Sequence, residues 1–225
     1  MIVRNFEAGE VILIDKPYTW TSFDVVKKIR NAIKIKKIGH AGTLDPLATG
    51  LLILCTGKMT KQIEKFMAKE KEYTGTLVIG KTTPSIDLET DIDSENDISN
   101  ITTDQVYAAV QSFHGEISQI PPVYSAIKVD GERVYMKARA GEQVELKPRI
   151  VEIKEFSISK IEFPVLHFKV ICSKGTYIRS LVRDYGKLLG VGAYMTSLRR
   201  TRIGEHKIED AYSLESFLSE VKKLN

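Results

Sequence analysis

The sequence predicts an α+β fold with a central mixed, mostly antiparallel sheet and flanking helices, on three observations. Its 225 residues, 43% apolar and 28% charged, suffice for one full-sized core. Several consecutive strand patterns are interleaved with only a few stretches of helical period, which favours α+β over a regular strand-helix repeat. Asp130-Gly131 sits between strand-like flanks and supplies the positive φ angles of a tight antiparallel hairpin. No internal repeat, low-complexity linker or sharp composition change divides residues 1–225, so a single domain is expected.

Taken in order, "EVILIDKP" reads as a buried strand that Pro17 ends. "TSFDVVKKIRNAI" is an amphipathic helix with Thr21 or Ser22 as its N-cap and Phe23, Val26, Ile29 and Ile33 along one face. Gly39 to Gly50 is a loop, followed by the strand "LLILCTG" and a short helix over "MTKQIEKFMA". "KEYTGTLVIG" alternates as a strand, and an acidic loop leads to the helix "TDQVYAAVQSF", capped by Thr103. The hairpin "SAIKVDGERVY" is next, then strands "RIVEIKEFSISKIEF" and "VLHFKVICS". The helix "TYIRSLVRDYGKLL", the strand "MTSLRRTRIGE" and a helix from Ser213 complete the chain.

Composition excludes several classes. The first residues have no secretory pattern and no run of about 18 uncharged apolar residues occurs, so neither a membrane nor export is indicated and a cytoplasmic protein is expected. Cys55 and Cys172 have no cysteine or histidine at metal-ligand spacing and read as buried thiols, with no metal site and no disulfide framework. "TGKMT" would end a P-loop only with glycine where Leu52 stands, and neither G-x-S-x-G nor H-E-x-x-H occurs. The net charge of +4 conceals its distribution. Thr82 to Asp97 holds six acids and no Lys or Arg, whereas basic residues gather at Lys27 to Lys37 and at "RRTR", Arg199 to Arg202. Such a sided surface attracts phosphates, although lysine-rich helix faces are often merely solvated.

Isolated polar residues remain. Asp45 lies in "GHAGTLDPLATG", between glycines and Pro46 and near His40; Tyr73 begins a strand; Tyr177 and Arg179 follow Gly175. Singly, each has an ordinary explanation: a turn-capping aspartate, a surface histidine, a strand tyrosine, a solvated arginine.

Their combination is specific. "GHAGTLDPLATGLLILCTGKMTK" resembles the signature segment of the TruB family of pseudouridine synthases. "VILIDKP", "TSFDVVKKIR", "KEYTGTLVIG", "TTPSID", "QIPPVYSAIKVDGERVYMKARAGE", "CSKGTYIRSLVRDYG" and "MTSLRRTRIGE" resemble that family's other blocks in its order, from about Glu10 to Leu214. The resemblance implies the pseudouridine synthase fold with an active-site cleft, no cofactor, and isomerisation of uridine-55 in the T loop of tRNA. It places the catalytic aspartate on Asp45, the tyrosine that stacks on the flipped uracil on Tyr73, and the arginine that pairs with the catalytic carboxylate on Arg179, with Tyr177 beside it in the pocket wall. It places on His40 the histidine that enters the T loop, on Lys16 and Pro17 the "KP" near the active site, and on Leu198 a leucine packed at the pocket.

Family members commonly read T-D-T-x-D where this chain has "TPSID", so Pro84 and Ser85 are substitutions while Asp87 keeps its place. Many relatives carry a C-terminal RNA-binding PUA domain, and this chain is expected to be a minimal form lacking one. The resemblance further implies a monomer that binds the T arm of tRNA without an obligatory protein partner. RNA contacts are expected from Lys27 to Lys37, from Arg199 and Arg200, and from a clamping insertion near residues 121–141. A synthase for another RNA, and a tRNA-folding chaperone, are the rival readings.

Overall fold

The computed structural model describes residues 4–125, 128–129, 132–133 and 146–224. In chain order the elements are β1 (Val11–Lys16), α1 (Ser22–Ile33), β2 (Ile38–His40), β3 (Ala48–Thr56), a 3-10 segment (Gly57–Gln62), α2 (Ile63–Ala68) and β4 (Lys71–Ile79). There follow β5 (Lys81–Thr82), β6 (Ser94–Glu95), α3 (Thr103–Gln111), β7 (Gly115–Gln119), β8 (Lys128–Val129), β9 (Glu132–Arg133), β10 (Arg149–Glu162) and β11 (Val165–Cys172). The last are α4 (Ile178–Leu188), β12 (Ala193–Ile203), β13 (His206–Lys207), a 3-10 turn (Ile208–Asp210), β14 (Tyr212–Ser213) and α5 (Leu214–Leu224). The chain forms two compact units, Met1–Thr74 with Leu198–Asn225, and Gly75–Ser197.

In the first unit the strand order is β14-β1-β3-β12, with β2 on β3 and β13 on β12. The sheet is mixed, since β1/β14 and β3/β12 are parallel and β1/β3 and β2/β3 antiparallel. Both faces of β3 are covered, which is why "LLILC" is continuously apolar rather than alternating. Leu52 and Leu54 join Ile12 and Ile14 beneath α1 and α5, while Leu51, Ile53 and Cys55 pack on the other face with Ala41 and Ile203. Burial pushes the Cys55 thiol up to about 11.

Thr21 caps α1 in a capping box with Asp24. The expected buried face needs correction, because Phe23 is 62% exposed. Ser22, Val25, Val26, Ile29 and Ile33 share one stripe at 3.6 residues per turn, and Phe23 stands about 100° from its centre.

The second unit has the order β4-β11-β10-β7, with β10 antiparallel to both neighbours. Phe156 is the hub of its core, meeting Phe113, Phe168 and Tyr185 edge-to-face at 5.5 to 6.4 Å. The buried Tyr185 hydroxyl donates to the Val106 carbonyl at 2.9 Å. Thr102 rather than Thr103 caps α3, because its side chain accepts from Gln105 N–H and the Gln105 side chain answers it. The strand β7 was not anticipated, since most of its residues are exposed and show little apolar alternation. β8 and β9 pair antiparallel, Lys128 with Arg133 and Val129 with Glu132. Residues 130–131, expected to form the turn, and most of the expected insertion at 121–141 lie outside the described residues.

Candidate active site

The segment 41–47 links β2 to β3 and carries Asp45. Ala41 N–H donates to the Ile53 carbonyl at 2.9 Å, and Ala48 N–H donates to that of Asp45 at 3.1 Å, closing a turn around Pro46. Three buried side chains hold the main chain between those points. Strand alternation puts Lys16 on the same buried face of β1 as Ile12 and Ile14. Its ammonium donates to the carbonyls of Pro17 at 3.0 Å, Trp20, and Pro46 at 3.2 Å. Ser22 Oγ accepts from Leu44 N–H at 2.9 Å and donates to the Leu44 carbonyl at 3.2 Å. From β12, Arg200 donates through Nε to Leu51 O at 2.8 Å and through its terminal nitrogens to Gly42 O at 3.1 Å and Thr43 O at 3.5 Å.

Two glycines make this possible. Gly50 pairs with Arg200 in the parallel register, at φ +104°, and a Cβ there would lie 2.3 Å from the Arg200 carbonyl oxygen. Gly42, at φ +96°, turns the loop beside the guanidinium.

These contacts place Lys16 and Arg200, both expected to meet the substrate, beneath the loop that carries Asp45. They are 0% and 1% exposed, and their donors are committed to main-chain carbonyls. "RRTR" reads as a surface patch in sequence, but strand alternation turns Arg200 inward and Arg199 outward. The Arg199 side chain is 42% exposed and forms a two-pronged pair with Asp15, at 2.7 and 3.0 Å. Arg202 pairs with Glu70 at 2.8 Å.

Burial and the Arg200 charge lower the Lys16 pKa to about 8, against the opposing pull of Asp45. His40, at the end of β2, has its pKa held below its ordinary value by burial and then by Arg200. Asp45 itself is half-buried. Tyr73 and Leu198 are each 8% exposed, Leu198 facing Ala48 in the β3/β12 register. Pro17 directly follows β1.

Tyr177 and Arg179 belong to the second unit. Tyr177 is the N-cap of α4, and its N–H donates to Gln119 Oε1 at 2.8 Å. Arg179, in the first turn of α4, is buried with Asp87 at 3.5 Å and donates to the carbonyls of Ser85 at 3.2 Å and Tyr124 at 2.9 Å. Asp87 and Ser22 are the polar residues that reading the sequence undervalued. Asp87 had one signal, its place between Ile86 and Leu88 in an otherwise polar run; Ser22 could be read only as a cap candidate.

Lys27, Lys28, Lys34, Lys36 and Lys37 are exposed, and none has a salt-bridge partner among the described residues. Lys27 and Lys28 line a groove of about 380 Å³ with Trp20 and Asn31. Lys34, Lys36, Lys37 and Lys58 line another of about 490 Å³. No helix among the described residues is long and apolar enough to cross a membrane.

Comparison with known proteins adds the family. A model described as the N-terminal domain of TruB family pseudouridylate synthases matches residues 30–178, and one for the C-terminal domain of tRNA pseudouridylate synthase B matches 179–224. The tRNA pseudouridine synthase B of Phocaeicola vulgatus is 53% identical over 95% of this chain and 93% of its own. That of Flavobacterium johnsoniae is 49% identical over 96% and 98%. A solved H/ACA ribonucleoprotein bound to a substrate RNA containing 2'-deoxyuridine has a chain 28% identical, with TM-score 0.71, over 95% of this chain and 53% of that one. The α+β fold with a mixed sheet is thus shared with a pseudouridylate synthase family.

Proposed function

The chain belongs to the TruB family of pseudouridylate synthases, and from that premise we propose that it isomerises uridine-55 in the T loop of tRNA, with Asp45 as the catalytic carboxylate. The observation that carries this reading is the loop 41–47, whose only carboxylate is Asp45 and whose main chain is pinned by Ser22, Lys16 and Arg200. Such pinning suits a residue that must meet its target in one pose.

The reaction breaks the N1–C1′ bond, turns the uracil and forms a C5–C1′ bond. N1 gains a proton and C5 loses one, so atoms and electrons balance without an external oxidant or reductant. A carboxylate serves this chemistry either by attacking C1′ or by taking a proton from C2′. The base must leave its stack, and Tyr73 offers an aromatic face worth about 1 to 3 kcal/mol by analogy with single-strand binders. Leu198 is suited to exclude water from the detached uracil. Tyr177 and Arg179 are carried over as the pocket tyrosine and the arginine of the same reaction. His40 is suited to enter the T loop, with burial disfavouring its charged form.

We further propose that the unpaired lysines from Lys27 to Lys37, Arg199, and the segment near 121–141 contact the phosphates of the T arm. The reaction is placed in the cytoplasm, in one copy of the chain without a protein partner. The test is carbodiimide mapping of pseudouridine by primer extension on an unmodified tRNA transcript. The parent is expected to give a stop at uridine-55 and Asp45→Asn none; tight binding with no stop from the parent favours an RNA-folding role instead.

A further inference from the structure

We propose that Arg200 is a positioning residue for Asp45, its buried guanidinium and Ser22 Oγ together fixing the main chain that presents the carboxylate. The proposal rests on the reading of Asp45 given above. Arg200 grips the loop at both ends, taking Gly42 and Thr43 at its entry and Leu51 beyond its exit. Ser22 holds both polar groups of Leu44, the residue directly before Asp45. Between them, the chain on either side of the carboxylate has little freedom to shift.

Two features distinguish this from ordinary packing. Among the described residues Arg200 has no carboxylate partner, so its burial carries a desolvation cost that methionine or leucine of similar bulk would avoid. Stability alone does not account for a guanidinium here. In addition, the chain keeps two positive-φ glycines around it, Gly50 against its backbone and Gly42 against its side chain. The surroundings are shaped for a planar, forked donor that serves several carbonyls at fixed angles, which a lysine would not reproduce. At 1% exposure Arg200 cannot reach a phosphate, so a direct role in RNA binding is not available to it.

The experiment compares the parent, Arg200→Met and Ser22→Ala. It measures single-turnover pseudouridine formation, the transcript Kd, and amide hydrogen exchange over residues 41–48. A displacement of order 1 Å costs roughly 10²-fold in rate, so Arg200→Met is expected to lose about that factor while Kd changes less than about twofold. Ser22→Ala loses one reciprocal contact and is expected to lose about tenfold. In both, exchange over 41–48 rises at least about tenfold relative to the rest of the chain. Rate and affinity falling together, an unchanged rate, or exchange unaltered over 41–48 would each overturn the proposal. If Arg200→Met does not fold, Ser22→Ala decides by the same readings. A parent that makes no pseudouridine defeats the reading of Asp45, and the exchange measurement then decides the clamp on its own.

Discussion

Arg179 and Arg200 are both buried arginines that donate to loop carbonyls, one in each unit, yet their charges are met differently. Arg179 has Asp87 at 3.5 Å, with both side chains 4% exposed. Arg200, among the described residues, has carbonyl dipoles alone. The first is a locally balanced ion pair that ties α4 to the segment around Ser85. The second leaves a net positive charge beneath a loop that carries a carboxylate, and it adds to the burial that lowers the Lys16 pKa. The difference teaches that burial says little about an arginine's task until its acceptors are named.

The largest stability effect is expected at the balanced pair. Arg179→Met leaves the Asp87 charge buried without this partner and should cost about 3 to 5 kcal/mol in urea unfolding, of which a further Asp87→Asn change recovers part. Arg200→Met orphans carbonyls but also removes a buried charge with no carboxylate beside it, so its net cost should be under about 1 kcal/mol, and a larger loss there than at Arg179 would invert the comparison. Gly50→Ala comes next. Its φ of +104° and the 2.3 Å approach to the Arg200 carbonyl force strain of roughly 1 to 3 kcal/mol for the backbone alone, and a melting temperature equal to the parent's would contradict that packing.

A smaller effect is expected from Lys16. Its folded pKa is about 8 against an ordinary 10.5, so between those values the unfolded chain keeps a proton that the folded chain has released. Stability should therefore rise with pH across that window in the parent relative to Lys16→Met, with a constant difference below it. Urea midpoints measured along a pH series check this; parallel curves above pH 8 would refute it. The smallest effect is at Arg199, whose exposed pair with Asp15 contributes less than about 1 kcal/mol. Arg199→Ala should nonetheless lower the salt slope of tRNA binding by about one, whereas Arg200→Met leaves it alone.

The strands and helices were largely legible because their apolar periods were clean, as in β1, α1 and α4. Boundaries were less so. Thr102 and Thr103 are equivalent in sequence, and only the answering contact from Gln105 selects Thr102. Phe23 fits the spacing of Val26 but not the stripe centred on Ser22. The two-residue strands β5, β6, β13 and β14 are too short for any pattern to show. At the candidate site, Asp45 stood out through its glycines and Pro46, and the resemblance named the residues expected to act with it. What stayed hidden was the support of the loop. Arg200 looks like surface charge until β12 alternation and the Gly50 register turn it inward, and Ser22 looks like a second cap until Leu44 lies against it.

The central claim is that Asp45 performs the chemistry of uridine isomerisation. Its most direct test is single-turnover release of tritium from a tRNA transcript labelled at C5 of uridine, with the parent and Asp45→Asn at equal saturation. The account predicts release of one label per tRNA by the parent, and a rate lower by about 10³-fold or more in Asp45→Asn with binding unchanged. Release by Asp45→Asn within about tenfold of the parent would contradict it.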